Sequence, residues 1–244
     1  KGEERKSHML GTIVNCITII VGGLIGSVFS SRIGERYTKP LMTVMGFATA
    51  VIGIQGALGT SNILVVIICL ALGTLIGVAL RLDDRINGSG DFIKSKLSGT
   101  KLGGGRFSDA FVTATLVFCV GSMAILGPIQ AGLNHDYSIL FTKSIMDFIS
   151  SIAFSAALGP GVCFAAVPIL IVQGGITLLA GAVQPYLTAE VITEMTAVGG
   201  PIFLAMSVNL IGLREEPVKV GDMIPAIFLP ILYFPIAEFI GGLF

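Results

Sequence analysis

Eight apolar stretches, each near the ~20 residues that a transmembrane helix needs, divide this chain of 244 residues. A backbone inside lipid must satisfy its own hydrogen bonds, so these stretches predict an all-α integral membrane protein. The composition agrees, since 12% of the residues are charged, against about a quarter in a soluble domain. The eight segments are residues 10–29, 40–58, 63–80, 108–126, 137–158, 162–183, 196–213 and 222–244.

The domain organisation follows from these segments. Residues 1–8 (KGEERKSH) are interpreted as a tag remnant, and 9–244 as a single transmembrane domain with a polar, Gly-rich linker at 81–107. The formal net charge of zero gives no indication of a nucleic-acid partner. The four cysteines lie in separate apolar segments and are interpreted as small buried residues. We expect no resident cofactor or metal and no enzymatic activity, because the segments contain no histidine and no paired carboxylates at helical spacing.

Lysine and arginine residues predict the orientation. Outside the remnant they lie in the linkers after segments 1, 3 and 7, and Lys143 in segment 5 is the exception. With eight spans these three linkers share one side, which the positive-inside rule makes cytoplasmic, so both termini are predicted outside. The opposite linkers, around His135 and around Glu190 and Glu194, contain no basic residue.

Two places interrupt the helical pattern. The uncharged turn Gly159-Pro160-Gly161 is compatible with a tight cytoplasmic turn or with broken, re-entrant helices. Segment 8 contains Pro225, Pro230 and Pro235, which predict a kinked or broken helix.

A faint internal repeat relates residues 9–80 to residues 161–244, on either side of segments 4 and 5 at 108–158. Gly26, Glu35 and Thr38 align with Gly181, Glu190 and Thr193; Gly46 and Gln55 align with Gly200 and Asn209 after a one-residue slip. Segments 1 and 6 would run in opposite directions, so the repeat would be inverted, as in many secondary transporters.

One polar stripe marks the candidate site. Lys143, Asp147, Ser151 and Ser155 recur every fourth residue and share one helix face. Asp147 lies ten residues into segment 5, about 15 Å deep, or half of a ~30 Å hydrocarbon core. A carboxylate there is a functional-site candidate that could bind Na⁺ or exchange a proton. The alternatives are a structural ion pair with Lys143, or a Lys143 that reaches the headgroups.

Other polar residues are weaker candidates for the same site. Gln55 and Asn209 would lie at symmetric depths, Gln173 precedes Gly174-Gly175, and Asn15 lies within segment 1. The alternative for Gln55 and Asn209 is interhelical hydrogen bonding, and the alternative for Gln173 is close helix packing at the paired glycines. The motifs Gly22-xxx-Gly26 and Gly73-xxx-Gly77 are close-packing motifs, compatible with contacts inside one chain or with a homodimer.

The runs TATLVFCVGSMAIL, KSIMDF, LGPGVCFAAVPIL and QGGITLLAGA together resemble a bacterial membrane-protein family. The family is domain of unknown function 554, the YqgA/YdfK-like proteins. The resemblance covers essentially all of residues 9–244 and implies a multi-pass protein of the bacterial inner membrane. It implies no substrate or mechanism.

Three functions compete on these residues. The first is a secondary transporter of a small solute or ion, coupled to a cation or proton through Asp147. The second is a channel or passive pore that uses the same polar residues. The third is a membrane scaffold or lipid-interacting protein without transport. Membrane lipids are expected partners in each case, and a small solute or ion in the first two.

Overall fold

The structure, a computed structural model, describes residues 9–32, 35–86, 88 and 107–241. All regular secondary structure in these ranges is helical, which confirms the predicted class. The predicted tag remnant and most of the linker 81–107 lie outside the described residues.

Ten α-helices and three 3-10 segments are described. The α-helices are α1 Leu10–Arg32, α2 Glu35–Ala57, α3 Ile63–Leu80, α4 Phe107–Cys119, α5 Ser122–Asn134, α6 Ser138–Leu158, α7 Ala166–Leu178, α8 Ala180–Val183, α9 Ala189–Ile211 and α10 Pro230–Gly241. The 3-10 segments are Pro160–Ala165 (the first 3-10 segment), Gln184–Tyr186 and Val220–Phe228 (the last 3-10 segment).

Within the described ranges, six helical stretches are long and apolar enough to cross a membrane, and α4 with α5 makes seven if the bent pair is one span. Large apolar side chains on them are exposed, for example Leu75 at 67% and Ile171 at 68%. Such continuous apolar surfaces are expected of helices that contact lipid. The predicted eighth segment is the shorter apolar stretch Val220–Ile236, so the count of eight stays a prediction.

The fourth span differs from its predicted bounds. Helix continues to Asn134, and a bend of 58° separates α4 from α5. Gly121 has φ of +127° at this break, a conformation that glycine adopts without steric cost. The chain therefore turns sharply inside the stretch 108–126, which the sequence predicted as one segment.

The seventh predicted segment begins earlier than expected, which corrects the linker assigned to Glu190 and Glu194. Thr188 caps α9 by accepting a hydrogen bond from Val191 N, and the helix starts at Ala189 instead of Thr196. Glu190 lies in the first turn, where a carboxylate is favoured by the helix dipole.

The helices divide into two compact units. Unit 1 contains residues 1–45, 86–119 and 123–184, and its main contact joins α1 to α6. A Cβ added to Gly22 would lie 2.6 Å from Phe148 O, and one added to Gly26 would meet Ile152 O. Only glycine permits backbones to approach this closely. The residue numbers of the contacting pairs rise in the same direction along both helices, from Gly11 and Leu140 to Gly26 and Ile152. Helices α1 and α6 are therefore parallel.

Helix α7 completes this part of unit 1. It follows the turn at Gly159, where φ is +104°, and the first 3-10 segment. Cys163 lies against Gly23, whereas Gly174 lies against Met9. The residue numbers therefore rise along α7 as they fall along α1, and the two helices are antiparallel.

Unit 2 contains residues 46–85, 120–122 and 185–244. Its core joins α3, α9 and the last 3-10 segment through Val65, Val66, Cys69, Ala197, Val198 and Ala226. Gly73 and Gly77 lie against the backbone of Ala226 and Asp222. The expected break of segment 8 is confirmed, since the last 3-10 segment contains Pro225 and α10 begins at Pro230.

Both small-xxx-small motifs are thus covered inside the chain. Gly22 and Gly26 contact α6, and Gly73 and Gly77 contact the last 3-10 segment. The homodimer predicted through these faces would need other surfaces.

Candidate functional site

The centre of the candidate site is an ion pair inside unit 1. Lys143 Nζ donates to both carboxylate oxygens of Asp147, at 2.9 Å to Oδ1 and 2.7 Å to Oδ2. The residues are one helical turn apart on α6 and each is 6% exposed. Two desolvated charges at this distance stabilise each other, whereas either one alone would be strongly unfavourable. The alternative in which Lys143 extends to the headgroups is wrong.

Asn15 joins this pair from α1. Its Nδ2 donates to Asp147 Oδ2 at 3.0 Å and to Gln173 Oε1, on α7, at 3.3 Å. A carboxylate only accepts, so the Asn15 amide must turn its nitrogen to Asp147, and Gln173 must then turn its oxygen to Asn15. The chain of donors and acceptors fixes the orientation of both amides.

Six buried side-chain polar atoms in the described part of the chain have no hydrogen-bond partner, and one of them, Thr115 Oγ1, is on α4. The other five belong to the three helices that form the ion-pair site, α1, α6 and α7, and they are Thr12 Oγ1, Asn15 Oδ1, Ser151 Oγ, Gln173 Nε2 and Thr177 Oγ1. Buried polar atoms in folded proteins are nearly always hydrogen-bonded, so such a group needs an explanation. We call these five residues together with Lys143 and Asp147 the central polar cluster.

The cluster is elongated along the helices. Thr12 lies almost one turn before Asn15, and Thr177 lies one turn after Gln173. Because α1 and α7 are antiparallel, both threonines extend the cluster towards the same end, where Lys143 also lies. Ser151 extends it the other way.

The cluster lies well inside the helices. Asp147 is the tenth of the 21 residues of α6, about 14 Å along the axis from Ser138. Asn15 is the sixth residue of α1, about 8 Å from Leu10. The depth counted on α1 is smaller than the depth of about 15 Å predicted from Asp147 alone.

An aromatic ring closes one side of the ion pair. Lys143 Nζ lies 5.9 Å from the centroid of the Phe118 ring, within the range of a cation–π interaction. Phe118 packs edge-on against Phe154 at 6.4 Å and is itself fully buried. It is the penultimate residue of α4, so its backbone carbonyl belongs to the negative end of that helix. Ring and helix end both favour a cation at Lys143.

The remaining serine of the predicted stripe has a structural role. Ser155 Oγ donates to Gly23 O at 2.6 Å and lies 3.1 Å from Gly159 O. These contacts tie α6 to α1 and to the turn that follows α6. Ser155 is fully buried and its hydroxyl is already hydrogen-bonded, so it does not belong to the central polar cluster.

Two predicted site residues, Gln55 and Asn209, lie in unit 2, whereas all residues of the central polar cluster lie in unit 1. Asn209 Nδ2 donates to Val218 O and its Oδ1 accepts from Val218 N, both at 2.8 Å. The amide therefore holds the loop after α9, and its hydrogen-bonding groups are engaged. Gln55 lies on an exposed face of α2. Their role in binding stays a prediction.

The structure also contains a buried carboxylate that sequence reasoning missed. Glu194 is 1% exposed in α9 and accepts hydrogen bonds from Thr60 Oγ1 at 2.6 Å and from Ser61 N at 2.7 Å. It thereby holds the turn between α2 and α3. A signal was available, since Glu194 lies between apolar residues of a helical pattern.

Acidic residues near the end of α3 form a second polar group in unit 2. Asp222 accepts from Asp83 N and Asp83 accepts from Gly221 N, both at 2.9 Å. Partial burial raises the pKa of Asp83. The hydrogen bond from Arg81 holds the pKa of Asp84 below its usual range, helped by Lys219. These contacts join the last 3-10 segment to the residues after α3.

No group of three or more His, Cys, Asp or Glu side chains that could hold a metal ion occurs among the described residues. The central polar cluster instead combines one cation, one anion, two amides and three hydroxyls. Such a set suits hydrogen bonding and charge pairing with a small polar molecule better than tight binding of a divalent metal.

Fold and site together define a multi-helix membrane protein with a buried ionic site among three of its helices. Residues 10–234 match the family described as Protein of unknown function (DUF554), so the chain belongs to that family, as its sequence runs indicated.

Two relatives extend this finding. The chain is 34% identical over 226 residues to "Uncharacterized membrane protein YdfK" of Bacillus subtilis (strain 168), covering 91% of this chain and 94% of that protein. It is 28% identical over 223 residues to "Uncharacterized protein YqgA" of Escherichia coli (strain K12), with 91% and 94% covered. No solved structure is significantly similar to the chain.

Proposed function

We propose that this protein is a secondary transporter that binds a small solute or ion at the central polar cluster. The observation that carries the proposal is the set of five unpartnered buried polar atoms beside the Lys143–Asp147 pair. An ion pair that served packing alone would be stabilised best by fully satisfied neighbours. Unused donors and acceptors grouped around a charge pair are the expected surroundings of a ligand.

Asp147 is the coupling group in this proposal. Its carboxylate has an internal cation, Lys143, and can exchange that partner for a proton or for a charge on the cargo. Each exchange has to leave the buried charges compensated, because uncompensated charge in a low-dielectric site is costly. Transport of cargo and movement of the pair would be linked in this way.

A carrier is favoured over an open pore by the packing at and beyond Ser151. There α1 and α6 are in backbone contact at Gly22 and Gly26, which leaves no room for a solute between them. Solute would have to leave by a movement of these helices, as alternating access requires. The scaffold alternative explains the ion pair but gives no role to the unpartnered atoms.

The proposed topology has both termini outside, in a bacterial inner membrane. The parallel course of α1 and α6 and the antiparallel course of α7 support it, because segments 1 and 5 are predicted to run inward and segment 6 outward. A second regularity supports an internal repeat: α6 and α9 are each followed by a 3-10 segment and another helix. By the predicted topology segments 5 and 7 both run inward, so a repeat of segments 5–6 in segments 7–8 would not be inverted. The inverted repeat of residues 9–80 in residues 161–244 stays a prediction.

Transport can be tested without knowing the cargo. Ser151→Cys is introduced after Cys16, Cys69, Cys119 and Cys163 are replaced by alanine, and a membrane-impermeant thiol reagent is applied to right-side-out and to inside-out vesicles. Alternating access predicts that Cys at position 151 reacts from both sides. Ser207→Cys is the matched control, since Ser207 is buried and bonded to Leu204 O in unit 2, and it should react from neither side.

The other outcomes decide between the alternatives. Cys at position 151 that reacts from neither side contradicts transport through the cluster and favours the scaffold. Reaction from both sides together with unitary conductance in planar bilayers would favour a channel.

A further inference from the structure

We infer that the cargo is a small zwitterion of the α-amino-acid class, which inserts between the Lys143 ammonium and the Asp147 carboxylate. This inference rests on the proposed function and specifies its substrate.

The charges of the cluster are the first reason. Among the described residues, both hydrogen bonds of Lys143 go to Asp147, so each charge compensates the other. A monovalent cation at Asp147 would leave Lys143 without a counter-charge, and a monovalent anion at Lys143 would leave Asp147 without one. A zwitterion places its carboxylate against Lys143 and its ammonium against Asp147. Every buried charge is then paired, and no proton has to be bound or released.

The unpartnered amide atoms are the second reason. Hydrogen bonding to Asp147 fixes Asn15 Oδ1 as an unused acceptor beside the carboxylate, and it fixes Gln173 Nε2 as an unused donor. An anion could use the donor but not the acceptor, and a cation the reverse. A ligand with an ammonium group and a carboxylate uses both.

The packing limits the size of the ligand. Leu140 lies against Gly11 towards one end of the cluster. At the other end a Cβ placed on Gly22 would lie 2.6 Å from Phe148 O and 3.0 Å from Ser151 Cβ. Fully buried Phe118 lies beside Lys143. These walls suit an amino acid with a short side chain, such as glycine, alanine or serine. The hydroxyls of Thr12, Ser151 and Thr177 remain for further hydrogen bonds to it or to water.

The empty protein then has a simple description. Lys143 and Asp147 bind each other in the absence of cargo, and each is the internal substitute for one end of the ligand. Binding exchanges one charge pair for two and changes no net charge. We therefore expect binding that is independent of pH near neutrality and independent of the membrane potential.

The test measures binding and uptake with matched probes. Purified protein in nanodiscs is titrated with radiolabelled glycine, L-alanine and L-serine by equilibrium dialysis, and the same ligands are followed into proteoliposomes. Propionate, ethylamine and propionamide supply the anion, the cation and the neutral molecule of similar size. We expect at least one amino acid to bind at least about tenfold more tightly than each single-charge probe, since truncating one member of a buried pair is costly.

Variants connect binding to the pair. Lys143→Met and Asp147→Asn should each abolish binding of the amino acid. The double variant Lys143→Met/Asp147→Asn contains no unpaired charge, so it should fold but bind no amino acid. Lys219→Met removes one of the two exposed partners of Asp84 and should leave binding unchanged.

Two outcomes overturn the inference, and they differ in what else they overturn. Asp147-dependent binding of propionate or ethylamine without amino-acid binding leaves transport standing and replaces the zwitterion by that ion. No binding of the amino acids to folded protein overturns the zwitterion. If Cys at position 151 is also unreactive from both sides, the proposed function fails with it.

Discussion

Asn15 donates from its side-chain nitrogen to Asp147 Oδ2 at 3.0 Å, across 132 residues of sequence. The bond fixes the carboxylate from the side opposite its own helix and turns the Asn15 oxygen away, where it has no partner. A single amide thus both orders the ion pair and presents an unused acceptor beside it. This relationship makes the stripe on α6 part of a site formed by three helices.

The first prediction concerns the stability of the ion pair. Asp147→Asn leaves Lys143 buried without a counter-charge, so we expect about 3–5 kcal/mol lower unfolding free energy. Lys143→Met should have a comparable effect. The double variant should recover most of the loss, because it removes both charges. Denaturant unfolding in detergent, followed by circular dichroism, measures the three differences.

Lys219→Met is the matched control for that series. The side chains of the Lys219–Asp84 ion pair are 63% and 43% exposed. Loss of this ion pair should therefore change the unfolding free energy by about 0–1 kcal/mol. A double variant no more stable than the single variants would show that the pair is not the source of their loss.

The second prediction concerns the contact between α1 and α6. Gly26→Ala places a methyl group against Ile152 O and the Ser155 side chain, and we expect a loss of about 1–3 kcal/mol through overpacking. Gly175→Ala is the control, because nothing lies within 4 Å of a Cβ at this helical position. It should be neutral or stabilising by about 0.5–1 kcal/mol. Equal effects of both substitutions would contradict the close approach of α1 and α6.

The sequence predicted elements better than their ends. Apolar length alone placed α1, α3 and α6, because lipid contact demands it. The start of α9 was wrong, since Glu194 was interpreted as a mark of a linker. Its carboxylate is instead satisfied by Thr60 and Ser61, more than 130 residues earlier in the chain. Local patterns do not reveal such a partner.

The site, like the fold, was predictable only in part. Helical spacing placed Lys143 beside Asp147, but it did not distinguish the site residue Ser151 from the structural residue Ser155 on the same face. Asn15 and Gln173 were named, but their convergence on Asp147 follows from the packing of α1 and α7, which no local spacing encodes. Gln55 and Asn209 were joined by an alignment of repeats. In the structure Asn209 holds the backbone at Val218 and Gln55 is exposed.

The third prediction concerns pH and the start of α6. Asp136 Oδ1 accepts from Ser138 Oγ at 2.6 Å and from Ser138 N at 2.9 Å. These bonds lower the pKa of Asp136. Its stabilising effect is therefore present above the ordinary pKa of an aspartate, about 3.9, and is lost as the pH falls through the lower pKa of the folded state.

We therefore expect Asp136→Asn to lower Tm at pH 7 and to lose this effect at about pH 2. Thermal unfolding of both proteins between these pH values gives the difference. Repeating the comparison with Ser138→Ala in both proteins should reduce it, since the larger cause of the shift is removed. A difference that stays constant with pH would contradict the role of the charge.

The fourth prediction separates structural amides from the amide of the site. Asn209→Leu deprives Val218 N of its acceptor and Val218 O of one of its two donors, the other being Val220 N, so we expect about 1–3 kcal/mol lower unfolding free energy. Hydrogen exchange at Val218 should rise in this variant. Transport by molecules that remain folded should be unchanged, because the affected loop lies in unit 2 and contains none of the central polar cluster.

Asn15→Leu is the matched substitution in the cluster. It removes the hydrogen bonds to Asp147 and Gln173 while Lys143 still compensates the charge, so its stability loss should be comparable, about 1–3 kcal/mol. Binding and uptake should nevertheless fall, since Asp147 and Gln173 lose the group that orients them. Uptake assays normalised to folded protein distinguish the two amides. If Asn15→Leu transports as wild type and Asn209→Leu does not, the site lies elsewhere than at the central polar cluster.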